Sequence, residues 1–252
     1  MDKIKISAVS YTNTKPFIYG IEHSGLINTI ELSLDIPSDC ANKLIDGQVD
    51  IGLVPVAVIP QVSGANIVAD YCIGSVGEVN SVFIFSKVPV QEIRTLKLDP
   101  QSRTSNNLAK VLLKFHWKKE VEFLVDGKGA DHNSVLEENA SADAMVLIGD
   151  RTFGRKKDFA YAYDMGQEWM NFTGLPFVYA AWVANKKIPE TFIKEFNDAL
   201  AYGLAHRAEL LKALPAHPDI DLEDYLMHKL DFDLTAQKRQ ALALFLDYIS
   251  RI

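Results

Sequence analysis

The sequence predicts an α/β protein of two lobes, each a mostly parallel sheet flanked by helices, with a ligand cleft between them. Three observations carry this expectation. Residues 4–59 run strand, helix, strand, helix, strand, an order that favours parallel pairing with ligands at the strands' carboxyl ends. A second unit of similar order starts at Thr95. No low-complexity or flexible stretch separates the two, so the chain passes between lobes by its strands. The expected division is 1–87 with 182–252 in the first lobe and 88–181 in the second.

Each element has its own signal. Ile4, Ile6 and Ala8 alternate as a first strand, and "KPFIYGIEHSG" reads as a short helix closing at Gly25. "IELSLDIPSD" is a second strand whose Pro37-Ser38-Asp39 starts the helix "CANKLIDGQ", ending at Gly47 before the buried strand "VDIGLVPVAVI". From Asn66 to Phe85, strands are broken by a loop holding Gly74, Gly77, Asn80 and Ser81, and 86–90 reads as the crossover. "TLKLDP", the turn "QSRTSNN", the helix "LAKVLLKFHW", the strand "VEFLV", a turn at Asp126-Gly127 and the strand "DAMVLIGD" form the second unit. "FTGLPFVYAAWVA" is the return crossover, with Trp182 in the core or lining the cleft. The remainder shows three- and four-residue apolar spacing, placing Phe196, Tyr202, Phe245 and Tyr248 on core-facing helical stripes.

Composition narrows the function classes. With 48% apolar and 23% charged residues the chain is of ordinary globular make-up, which argues against disorder. A formal charge of −7 argues against nucleic acid as a partner, but it does not exclude a small anion, because a cleft's field comes from a few side chains and helix N-termini. Cys40 and Cys72 fall in no CxxC or Cys/His cluster, so neither a metal centre nor a disulfide framework is expected. No signal-peptide pattern or apolar run of membrane-spanning length is seen, and the expectation is a cytoplasmic protein without membrane attachment. Composition leaves the oligomeric state open.

Three polar turns recur at strand carboxyl ends: "SYTNTKP", "GSVGEVNS" and "QSRTSNN". In the first, Ser10, Tyr11, Asn13 and Thr14 precede a helix that Thr14 can cap and in which Pro16 suits the first turn. In the third, Thr104, Ser105 and Asn106 stand at another helix start. Two opposed helix N-termini suit a ligand with two carboxylates. No GxSxG, HExxH, P-loop or GxGxxG motif occurs, and the six histidines are scattered. Glu78 and Asp150 are the carboxylates nearest the candidate loops, and "DRTFGRKKDF" is a basic patch after a strand, read as a solvated loop or an anion site.

On "SAVSYTNTKPFIYGI", "LIDGQVDIGLVPVAVIP", "IGSVGEVNSVFIFSK", "TSNNLAKVLL", "DAMVLIGDRT" and "DMGQEWMNFTGLPFVYAAW", the chain resembles the chorismate dehydratases of the futalosine route to menaquinone, relatives of type II periplasmic binding proteins that act inside the cell. The resemblance spans essentially the whole chain. It departs at Thr12, where the pattern usually has Leu, and at Lys15, where it usually has Arg, so a planar bidentate fork is lost there. It implies a type II periplasmic-binding-protein-like fold and a cofactor-independent hydro-lyase that converts dianionic chorismate to 3-[(1-carboxyvinyl)oxy]benzoate and water. It further implies Asn13 and Ser81 as the catalytic pair. Ser10, Tyr11, Thr14, Asn80, Thr104, Ser105 and Asn106 would then bind substrate, with the substrate's enolpyruvyl carboxylate itself able to take the proton. Three alternatives stand beside this: a non-catalytic binder or sensor of a small carboxylate on the same fold, the sister enzyme making dihydroxynaphthoate, and a structural or interaction protein with no closing cleft. The sister family carries a second-lobe histidine that "MVLIGDRTF" does not offer.

Overall fold

Two mixed sheets, joined by two short crossings, organise the computed structural model, which describes residues 3–125 and 142–252. The chain opens with strand β1 (Ile4–Val9), helix α1 (Lys15–His23), β2 (Ile30–Asp35), α2 (Pro37–Ile45), β3 (Ile51–Pro55) and β4 (Asn66–Ser75). It crosses at 76–81 into β5 (Val82–Ser86) and β6 (Thr95–Lys97), then α3 (Arg103–Val111), which runs on as a π-turn to His116. β7 (Glu122–Leu124), β8 (Ala144–Ile148) and β9 (Tyr161–Asp164) complete the second sheet. Helix α4 (Met165–Thr173) leads back into β10 (Phe177–Ala184), followed by α5 (Glu190–Ala205), α6 (Arg207–Ala213), the π-turn Tyr225–Lys229, β11 (Asp231–Asp233) and α7 (Ala236–Ile249).

The first sheet has the order β11-β4-β10-β3-β1-β2 and the second β7-β6-β8-β5-β9. The early βαβαβ unit pairs in parallel, Ile4 opposite Ile30 and Ile6 opposite Ile51. The return strand changes the character of the sheet: β10 runs antiparallel to both β3 and β4. In the second sheet β5 is antiparallel to β8 and β9, so both sheets are mixed and not mostly parallel. A strand that comes back from the other lobe enters from the opposite end, which local periodicity cannot report.

The division at 87/88 and 181/182 also moves. β5 pairs Phe83 with Leu147 and belongs to the second sheet, while all of β10 belongs to the first. The crossings therefore lie between Ser75 and Val82 and between Asp164 and Phe177. Val82–Ser86 is buried at every position, a pattern common to central strands of either lobe.

Trp182 is fully buried in the core, edge-on to Phe17 at 5.8 Å and Phe196 at 5.0 Å, and does not line the cleft. Phe196 and Phe245 are also fully buried, whereas Tyr202 is 38% exposed and corrects the expected stripe by pointing outward, stacked on His206. Helices α1 and α5 touch through glycines: a Cβ on Gly203 would overlap Pro16 O, and one on Gly20 would overlap Ala199 O. Cys40 and Cys72 are buried free thiols, Cys72 inside β4 and not at its end. The predicted turn at Asp126-Gly127 and His132 lie outside the described residues. Among the described residues no helix is long and apolar enough to cross a membrane.

Candidate functional site

The loops that leave β1 and β4, the start of α3 and the end of β8 converge on a cleft of about 560 Å³ counted out to its open mouth. Tyr11, Asn13, Ser81, Thr104 and Ser105 line it, together with Ser102, Gly149 and Tyr179. The other lining side chains are aliphatic or proline, so among the described residues the wall carries no Lys, Arg, Asp or Glu.

Local chemistry holds each polar group. Thr14 is fully buried, and its hydroxyl does not cap α1 but donates to Asn13 Oδ1 at 3.1 Å. That fixes the amide with its nitrogen as the remaining donor. Ser81 is reached through a tight turn in which Asn80 takes the left-handed conformation, φ 61°. The turn is pinned by the buried Asp164 carboxylate, which accepts from Val79 N and Asn80 N (2.7 Å) and from Gly166 N and Gln167 N at the start of α4. Burial pushes the Asp164 carboxyl up to about 6, against the pull of those backbone donors.

Helix α3 begins at Arg103, earlier than the predicted helix, and Ser102 caps it by accepting from Ser105 N at 3.0 Å. Thr104 donates to Tyr179 O and accepts from Ala57 N, so its hydroxyl ties the lobes together and its proton is committed. The Ser105 hydroxyl has no partner among the described residues. Gly149, at φ 65°, permits close approach of the Tyr11 ring, which a Cβ there would meet at 2.7 Å. The Tyr11 hydroxyl donates to Gln101 Oε1, and burial above all pushes it up to about 12. Behind it Arg151 pairs with the fully buried Asp99 at 2.6 Å.

Of the sequence candidates, four fall outside the wall. Ser10 is exposed and its N–H donates to Asp35 O. Thr14 sits beneath Asn13. Asn80 contributes backbone geometry only. Asn106 turns away, its amide closing both ends onto the Asp99 backbone. Glu78 bridges Lys229 (2.8 Å) and Lys156 (3.3 Å), and these lysines hold its carboxyl below the usual range. Asp150 is occupied by Thr12. The basic patch is paired residue by residue: Arg151 with Asp99, Arg155 with Asp158, Lys156 with Glu78, Lys157 with Asp219. Lys15 lies outside the cleft wall.

Sequence reasoning missed Ser102, Gly149, Asp164, Tyr179 and Tyr225. Ser102 and Gly149 carried a local signal, an N-cap residue before a helix and a glycine at a strand end. Tyr225 carried none. It is fully buried, and its hydroxyl donates to Ser81 Oγ at 2.8 Å from 144 residues away.

The sequence model of the family described as menaquinone biosynthesis matches residues 4–251. A protein named chorismate dehydratase from Thermus thermophilus is 25% identical over 220 residues, 76% of each chain. Among solved structures, an Archaeoglobus fulgidus protein superposes with a TM-score of 0.76 at 14% identity, covering 99% of this chain and 97% of its own. A Candida albicans protein described as having the generic periplasmic binding protein fold superposes at 0.66 with 12% identity, covering 100% and 94%. The alkanesulfonate-binding protein of Xanthomonas axonopodis pv. citri does so at 0.66 with 13% identity, covering 99% and 92%. The fold is thus that of periplasmic binding proteins.

Proposed function

The chain belongs to the menaquinone-biosynthesis family, and from that membership we propose that it is a chorismate dehydratase of the futalosine route, a hydro-lyase acting in the cytoplasm. The named Thermus thermophilus relative supports the substrate. The observation that carries the reading is a cleft wall of neutral donors, Asn13, Ser81 and Ser105 among them, without a charged side chain among the described residues.

Loss of the ring hydroxyl makes the chorismate ring aromatic, so much of the driving force is the substrate's own. The enolpyruvyl carboxylate takes a proton from the ether-bearing ring carbon, the C–H electron pair becomes a ring double bond as the C–O bond to the hydroxyl breaks, and the resulting carboxylic acid passes its proton to the departing hydroxyl, which leaves as water. A cation paired with that carboxylate would depress its basicity, whereas neutral donors orient it and leave it basic. Asn13 and Ser81 donate to oxygens on which charge develops, and the Ser102-capped start of α3 with Ser105 anchors the other carboxylate. The apolar remainder of the cleft wall holds the reactive conformer between the polar groups.

Purified protein incubated with chorismate alone is expected to form a product lighter by one water, detected by mass. Asn13→Ala and Ser81→Ala, still folded, are expected to lose at least about 100-fold in kcat/KM. Parental rates in both would remove the catalytic pair. The binding-protein names among the structural neighbours favour one second reading, a carboxylate binder. Thermal stabilisation by chorismate without product would establish it instead.

A further inference from the structure

We propose that Tyr225 is the positioning residue that sets the hydrogen-bond direction of the cleft donor Ser81, an inference that rests on reading Ser81 as one of the chorismate-facing pair. Tyr225 opens the π-turn Tyr225–Lys229, does not line the cleft, and is held edge-on against Phe153 with ring centroids 5.4 Å apart. Short π-turns of this kind recur at functional sites.

The phenol has one proton, and it goes to Ser81 Oγ at 2.8 Å. With that lone pair of Ser81 filled, the serine's own hydrogen is directed to the other side of the oxygen, into the cleft that Ser81 lines. The phenol oxygen in turn is left as an acceptor.

The array runs from Tyr225 to Ser81 to ligand. It fills one lone pair of Ser81 and turns the serine's own hydrogen away from the phenol, so that Ser81 can donate to a leaving hydroxyl or a charge-gathering carboxylate. Full burial keeps the phenol neutral, its pKa raised well above the ordinary value, so the array does not reverse at working pH. Without the phenol hydroxyl, nothing fixes the Ser81 rotor, and its hydrogen is free to turn toward the empty phenol position and away from the substrate.

The test is a double-mutant cycle with chorismate as substrate. Tyr225→Phe keeps the ring in place and is expected to lower kcat about 10- to 30-fold with KM changed less than about 3-fold. In a Ser81→Ala background the same substitution is expected to cost less than about 2-fold, because the residue it acts through is already gone. An equal loss in both backgrounds, or a parental rate in Tyr225→Phe, overturns the proposal. An independent measurement on the unmodified protein is a proton NMR search for a slowly exchanging Tyr225 hydroxyl with a nuclear Overhauser contact to the Ser81 methylene. Its absence overturns the proposal even if Tyr225→Phe fails to fold. If the unmodified protein leaves chorismate unchanged, the dehydratase reading falls, while this contact still decides whether the array exists.

Discussion

Thr12 gives both its backbone N–H and its hydroxyl to the carboxylate of Asp150, a residue 138 positions away in the other lobe, at 3.1–3.2 Å and 2.9 Å. The bond joins the loop after β1 to the end of β8, the two walls that carry Asn13 and Gly149. It also gives a physical role to the Thr12 hydroxyl, since Leu at 12 would supply the N–H alone.

Thr12→Leu is accordingly expected to lower unfolding stability by about 1–2 kcal/mol, the worth of a partly buried hydrogen bond to a charged acceptor. Urea midpoints for the two proteins check this. An unchanged midpoint would mean that solvent replaces the hydroxyl without cost.

Asp164 predicts a pH dependence. Its carboxyl is raised to about 6 in the folded protein, above the ordinary aspartate value of about 3.9 in the unfolded chain. Between those values the native state binds more protons, so its contribution is fully present near pH 4 and is lost as pH rises through about 6. Comparing Asp164→Asn with the parental protein, the stability difference is expected to shift against the parental protein by about 2 kcal/mol across that window and to stay level above it. A difference flat from pH 4 to pH 7 would show that the backbone donors outweigh burial.

Gly149→Ala should act on binding more than on folding. The left-handed backbone and the Tyr11 ring both resist a methyl group, so the ring is displaced into the cleft it lines. The expected result is a KM for chorismate raised about 10-fold, roughly 1.4 kcal/mol, with kcat less affected. Steady-state kinetics separates the two.

Lys238 is 1% exposed and donates to the Asp231 carboxylate and to the carbonyls of Asp231 and Asp233. It straps α7 to the edge strand β11 and does not itself line the cleft. Lys238→Met is expected to cost about 1–2 kcal/mol, because the Asp231 carboxylate is 42% exposed and water can take the lysine's place there, while the two carbonyls lose their donor. A thermal midpoint lowered by several degrees, with unaltered kinetics in the folded fraction, would agree.

The legible part of the molecule was whatever depends on neighbours in sequence. Continuous apolar runs marked β3, β5 and β10, Pro37 marked the start of α2, and Gly25 and Gly47 marked stops, because burial periodicity and backbone conformation are properties of a few consecutive residues. Polar residues crowded at strand ends pointed to a cleft, and Tyr11, Asn13, Ser81, Thr104 and Ser105 do line one. Tertiary structure alone decided which of their hydrogen bonds were already taken. Thr104 is committed to Tyr179 O, Asn106 to the Asp99 backbone, and Ser81 receives its proton from Tyr225. The return of β10 antiparallel, which moves both lobe boundaries and makes the sheets mixed, was equally beyond local pattern. A hydroxyl or amide has the same intrinsic chemistry wherever it stands in the sequence. Whether it is free to meet a ligand depends on the partner that folding brings to it, and here that partner is often more than 50 residues away.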